Sequence, residues 1–136
     1  MRILAVDYGG RRTGLAVSDE LGITAQGLDT VVVDDERKLP AEVARIAGSL
    51  GVERIVIGLP LNMDGTESGM SDKVRTFGEI LSREIELPVV FWDERLTSTQ
   101  AQRVMRDLGM KTRGNKHAVD RISATLMLQE YLKTLT

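Results

Sequence analysis

Four carboxylates stand where short apolar runs begin or end. Asp7 follows Ile3-Leu4-Ala5-Val6, Asp93 and Glu94 follow Pro88-Val89-Val90-Phe91-Trp92, and Asp120 opens the last periodic segment. In open α/β sheets the strand ends are where ligands bind, so acids placed there are candidates for chemistry. Carboxylates brought together at a partly buried edge repel one another and raise their own pKa values unless a cation neutralises them. With no cysteine and the single histidine His117, the available donors are hard oxygens, which suit Mg²⁺ or Mn²⁺ rather than zinc. Two such ions ~3.5–4 Å apart can activate a water and stabilise the leaving oxygen in phosphodiester cleavage. On residue types alone, turn, cap and salt-bridge roles account for the same acids equally well.

Positioning these acids requires an alternating set of strands and helices. Residues 2–6 and 13–18 read as two strands joined by the Tyr8–Arg12 turn, in which Gly9 and Gly10 are expected to leave an open approach for a phosphate backbone. A third strand is expected over about Gln26–Val33. Leu39, Val43, Ile46, Ala47 and Leu50 recur at helical spacing, with Gly51 as the stop. Arg54–Leu59 has the continuous apolar character of a strand buried on both faces. Leu61–Thr66 is turn chemistry, and Met70, Val74, Phe77, Leu81 and Ile85 form the stripe of a second helix. A fifth strand covers Pro88–Trp92. Thr97-Ser98-Thr99 can cap a helix carrying Ala101, Val104, Met105 and Leu108, and Lys111–His117 reads as a basic mobile loop. The final helix, about Ala118–Leu132, places Asp120 on or beside its apolar stripe. The pattern is α/β, a mixed sheet with helices on both faces.

The 136 residues fit one domain, 1–136. Absence of cysteine agrees with a reducing cytoplasm, Asp7 arrives too soon for a signal peptide, and no apolar run approaches the ~18 residues of a membrane span. Charge is nearly balanced, 18 Lys and Arg against 20 Asp and Glu. Its distribution is not: Arg95–Arg121 carries seven basic residues against Asp107 and Asp120, and Asp19–Glu42 carries seven acids against Arg37 and Lys38. This asymmetry permits one basic face for a polyanion.

Leu4-Ala5-Val6-Asp7-Tyr8-Gly9 with Thr13-Gly14-Leu15-Ala16, then Ile57–Gly65, Trp92–Ser98, and Asp120 with the helix after it together resemble the YqgF-type family of Holliday-junction-resolvase-like proteins, to which pre-16S ribosomal RNA nuclease activity is ascribed. The resemblance covers essentially the whole chain. It implies an RNase H-like fold with a five-stranded mixed sheet, order 3-2-1-4-5 with strand 2 antiparallel. It also implies a Mg²⁺- or Mn²⁺-dependent nuclease site of three carboxylates, carried over as Asp7, Glu94 and Asp120. The choice of Glu94 over Asp93 comes from the family pattern, since strand alternation says only that the two point oppositely.

Around the acids, Arg11, Arg12, Arg95, Lys111, Arg113 and Lys116 are candidate phosphate contacts; Arg95 alternatively bridges to Asp93 or Glu94. Trp92 and Phe91 are expected in the core. The implied activity is endonucleolytic cleavage of structured RNA in 5′-end maturation of the 16S rRNA precursor. Alternatives are a branched-DNA (Holliday junction) resolvase and a non-catalytic RNA- or ribosome-binding factor. Expected partners are rRNA precursor or branched DNA and ribosomal particles, without a membrane, for a cytoplasmic monomer or weak homodimer.

Overall fold

The computed structural model describes residues 1–97, 100, 103–104, 106–107 and 116–135, the side chains of Lys116 and His117 excepted. The apolar run before Asp7 forms β1 (Ile3–Asp7), and Arg12–Ser18 forms β2, which returns antiparallel to it. Two short strands follow on β2, β3 (Ala25–Gly27) and β4 (Val31–Val32), both antiparallel to it. Helix α1 (Leu39–Leu50) leads to β5 (Arg54–Leu59), α2 (Gly69–Glu84) to β6 (Val89–Asp93), and the C-terminal helix α3 spans Lys116–Lys133. The order across the sheet is β3-β2-β1-β5-β6, with β1, β5 and β6 parallel.

Local signals explain most of these elements. Gly51 closes α1 in the left-handed region at φ 65°, its N–H bonding to the Ala47 and Gly48 carbonyls. Ser68 caps α2 reciprocally with Ser71, whose hydroxyl accepts from the Ser68 N–H at 2.7 Å while Ser68 Oγ accepts from the Ser71 N–H at 3.1 Å. Strand alternation then divides the core. Leu4, Val6, Leu15, Val17, Ile55 and Ile57 pack on one face with Val43, Ala47, Val74, Phe77 and Leu81 of α1 and α2. Ile3, Ala5, Ala16, Val56 and Trp92 pack on the other with Ala124, Met127, Leu128 and Tyr131 of α3. Trp92 and Phe91 are thus wall residues of the two core layers, as expected.

Three expectations are corrected. The third strand is split, so the sheet has six strands rather than five: Leu28 still donates its N–H to the Leu15 carbonyl at 2.9 Å, and residues 28–30 separate β3 from β4. There Arg121 Nε donates to the Leu28 carbonyl at 3.2 Å and Arg121 Nη2 to Asp29 Oδ1 at 2.5 Å. The last helix as described spans Lys116–Lys133, so Lys116 and His117 are helical and not in a loop. Gly9 and Gly10 do not leave open space. A Cβ on Gly9 would sit 2.0 Å from the Arg12 carbonyl oxygen, and Gly10, at φ 74°, lies against the Glu36 side chain. Both glycines serve closure of the turn. Of the predicted helix after Thr97, the described residues Gln100, Arg103, Val104, Arg106 and Asp107 are helical; the rest of it, with Lys111 and Arg113, lies outside the described residues.

Alternation also aims Asp7 at the α3 face, in line with Ile3 and Ala5. It is flanked there by glycines. Gly14 is its partner on β2, and Gly58 stands beside it on β5, one step past the Val6↔Ile57 pair. Neither glycine could carry a methyl group without a collision. A Cβ on Gly14 would meet the Asp120 carbonyl oxygen at 2.4 Å, and one on Gly58 would meet Glu94 Oε1 and Met127 Sδ at 2.7 Å. The bare strand positions therefore admit α3 and Glu94 close to Asp7.

The two glycines should differ in thermal stability when substituted. Gly14→Ala meets rigid backbone and should cost about 1–3 kcal/mol. Gly58→Ala meets the ends of flexible side chains and should cost less than half as much in the same denaturation experiment.

Candidate active site

The three acids carried over from sequence reach one edge of the sheet by three different routes. Asp7 is the last residue of β1 and points to the α3 face. Glu94 begins a single 3₁₀ turn, Glu94–Leu96, that follows β6. This turn carries its carboxylate back over Gly58. Asp120 lies in the second turn of α3, its Cβ and carbonyl directly over Gly14.

Their electrostatics are coupled. Burial pushes the Asp7 carboxyl up from 3.8 to about 7, and the charges of Glu94 and Asp120 push in the same direction. Glu94 is also raised, first by burial and then by Asp93. Asp120 instead has a cationic neighbour, Arg12, whose Nη2 lies 3.4 Å from Asp120 Oδ2, with both side chains about one third exposed or less (33% and 27%). Among the described residues, Asp7 therefore stands with two further acids beside it and the Arg12 guanidinium at the edge of the group. Among the described residues, no three carboxylate or imidazole groups stand close enough to form a ready metal cage.

Asp93 and Glu94, undecided by residue pattern alone, have different surroundings. Asp93 accepts from the Arg95 backbone N–H at 2.9 Å and from the Arg95 guanidinium at 2.7–3.1 Å. These bonds hold its carboxyl below the usual range. It lies on the α1/α2 side by strand alternation and already has its counter-charge. Glu94 has none among the described residues and faces Asp7. Arg95 is correspondingly committed: its Nη1 also donates to the Met63 carbonyl at 3.3 Å, and Gly65, at φ 88°, lies against its guanidinium. The residue ties the Asn62–Thr66 loop to the turn that carries Glu94. The loop is closed internally by the Gly65 N–H to the Asn62 carbonyl and by Asp64, which accepts from Thr66.

The first turn is braced as well. The Gly9 N–H donates to the buried Thr13 hydroxyl at 3.3 Å, and β4 pairs with Arg12 and Thr13. Arg12 is thus held where it reaches Asp120, while the exposed Arg11 side chain extends from the turn. Lys116 starts α3, and its side chain lies outside the described residues. Sequence reasoning missed Gly14 and Gly58, although an isolated glycine inside an apolar strand is a usable signal of close approach.

Comparison with known proteins gives a consistent kinship. A relative from Koribacter versatilis is 47% identical over 132 residues, covering 97% of this chain and 86% of its own. One from Agathobacter rectalis is 44% identical over 139 aligned positions, covering 100% and 97%. Both carry the provisional name "pre-16S rRNA nuclease". Among solved structures, Thermus thermophilus RuvC in complex with a Holliday junction superposes with TM-score 0.63 at 15% identity, covering 98% of this chain and 96% of that one. The fowlpox virus Holliday junction resolvase gives 0.58 at 13%, with full coverage of both. These two likenesses establish the RNase H-like fold of the resolvases. The RuvX Holliday junction resolvase family matches residues 1–134, and the chain belongs to that family.

Proposed function

We propose that this protein is a metal-dependent endonuclease that cleaves structured RNA in the cytoplasm, in 5′-end maturation of the 16S rRNA precursor. The observation that carries this reading is the Asp7 carboxyl pushed to about 7 by burial and by two neighbouring acids. Folding has concentrated negative charge where a divalent cation would relieve it.

The donor set fits Mg²⁺ or Mn²⁺, since Asp7, Glu94 and Asp120 offer only hard oxygens. When bound, such an ion supplies an acidified water and stabilisation of the leaving oxygen. The chain's own residues do the rest. Among the described residues Asp7, fixed at the strand end, and Glu94, over Gly58, make no ion pair, and Asp120 joins them from α3. Arg12 holds the Asp120 carboxylate in place and partly neutralises the edge, easing the approach of a phosphodiester. Arg11, Lys111, Arg113 and Lys116 contribute phosphate contacts, whereas Arg95 fixes the loop beside Glu94.

The family's description favours a second substrate, the four-way DNA junction. The same acids would serve it. Purified protein, monomer or weak homodimer, should cut precursor rRNA in Mg²⁺ or Mn²⁺, and Asp7→Asn should lose about a hundredfold or more of the rate while its circular dichroism is unchanged. Wild-type cleavage by a folded Asp7→Asn protein would remove the carboxylate site. Cleavage of a four-way junction with none of rRNA would select the resolvase, and metal-independent RNA binding without cleavage would leave a ribosome-associated factor.

Stability gives a readout independent of cleavage. An acid whose folded pKa is raised binds more protons folded than unfolded between about pH 4 and 7, so stability falls as pH rises through that window. Asp7→Asn should therefore be more stable than wild type at pH 8, by about 1–2 kcal/mol after discounting the full shift for residual solvent contact. The gain should vanish below pH 4. Millimolar Mg²⁺ should raise the wild-type melting temperature at pH 8 and leave that of Asp7→Asn nearly unchanged.

A further inference from the structure

Tyr8, the residue after Asp7, points to the opposite face of the sheet and packs against the α1/α2 core. Its ring lies 5.1 Å from that of Phe77, tilted by 42°. These two rings, with Pro40 and Ile80, form the apolar wall of a cleft of about 400 Å³ between the start of α1 and residues 72–80 of α2. Polar groups complete the lining: Glu36, Arg37, Asp72, Lys73 and Thr76. The Glu36 carboxylate also packs on Gly10, so the cavity wall and the turn leading from Asp7 to Arg12 share a residue. No element lies in the chain between the acid and the cavity.

The lining has a specific chemistry. The partly exposed Tyr8 ring, backed by the buried Phe77, offers a stacking surface that any planar ring can use. The Tyr8 phenol is a hydrogen-bond donor as well as a ring. Glu36 and Asp72 are acceptors suited to ring N–H and exocyclic amino groups. Of the cations, Arg37 is bound to Asp35, while the exposed Lys73 makes no ion pair among the described residues. A lone ammonium beside an aromatic cleft matches a phosphate carrying a base.

We propose that this cavity is a nucleobase subsite, which takes one unpaired base of the RNA strand whose neighbouring phosphodiester lies at Asp7, with Lys73 on the adjoining phosphate. The inference rests on the nuclease reading for the identity of the strand and adds where the strand is gripped. Cleaving structured RNA at an unpaired position requires such a grip, because single-stranded bases are recognised by stacking and by their hydrogen-bonding edges. A duplex, whose bases are stacked on one another, cannot fill the cavity. The site would thus select the unpaired strand next to a helix.

The test is an abasic scan, in which each base in turn is deleted from a short single-stranded oligoribonucleotide. Affinity is measured without divalent metal, so that no cleavage occurs. One position should stand out, its deletion weakening wild-type binding about tenfold. In Thr76→Trp, which fills the mouth from an exposed position on α2, intact RNA should bind about tenfold more weakly, with no further loss at that position. Lys73→Ala should weaken intact RNA while keeping the positional pattern. A flat scan in the wild type, or the same positional loss in Thr76→Trp, would overturn the subsite. The nuclease reading is judged separately: a positional scan without metal-dependent cleavage keeps the subsite and rejects the nuclease, and cleavage with a flat scan does the reverse.

Discussion

The carboxylate edge depends on an unfavourable placement, the Asp7 carboxyl buried at a strand end and repelled there by Glu94 and Asp120. A turn-forming aspartate would be solvated or bonded to its own backbone, as Asp19 is here, with the N–H groups of Ile23 and Thr24 on its oxygen. Asp19 is held below its ordinary range, whereas Asp7 is pushed far above it. Two aspartates at strand–turn junctions of one chain thus differ because of what surrounds them. Folding accepts a destabilising charge at Asp7, and such local costs collect at functional sites.

The sheet is shaped to bring about that repulsion. Gly14 and Gly58 remove side chains on either side of Asp7, α3 descends until the Asp120 backbone rests on the first, and the turn after β6 lays Glu94 over the second. The opposite arrangement holds one residue to either side in the sequence. Val6 is fully buried on the α1/α2 face, and Tyr8 opens the cavity on that same face. One strand end therefore presents an acid to one side and an aromatic ring to the other, and the rigid five-residue strand fixes their relation. Arg12 and Arg95, both candidate phosphate ligands by residue type, also form parts of this frame through Asp120 and Asp93.

Features encoded locally were legible in the sequence. The span of α1 and its stop at Gly51, the buried strand β5 and the placement of Asp7 at a strand end all follow from apolar period and turn chemistry within a dozen residues. The split of the third strand was hidden because the group that meets it there, Arg121, lies 92 residues away from Asp29. The reason for Gly9 and Gly10 was misread, since the atoms that fill their space, the Arg12 carbonyl and the Glu36 side chain, arrive only when the turn closes. Asp93 and Glu94 could not be separated by alternation because the chain leaves the strand between them for a 3₁₀ turn. The family resemblance supplied that distinction, and the Asp93–Arg95 pairing gives it a physical basis.

The most direct measurement is the titration of the Asp7 carboxyl carbon by NMR in protein with and without Mg²⁺, using Asp7→Asn to assign the signal. The account predicts a midpoint near the value of about 7 set by burial and its two acidic neighbours, moved to lower pH by Mg²⁺. A midpoint near the ordinary 3.8, unmoved by Mg²⁺, would contradict it.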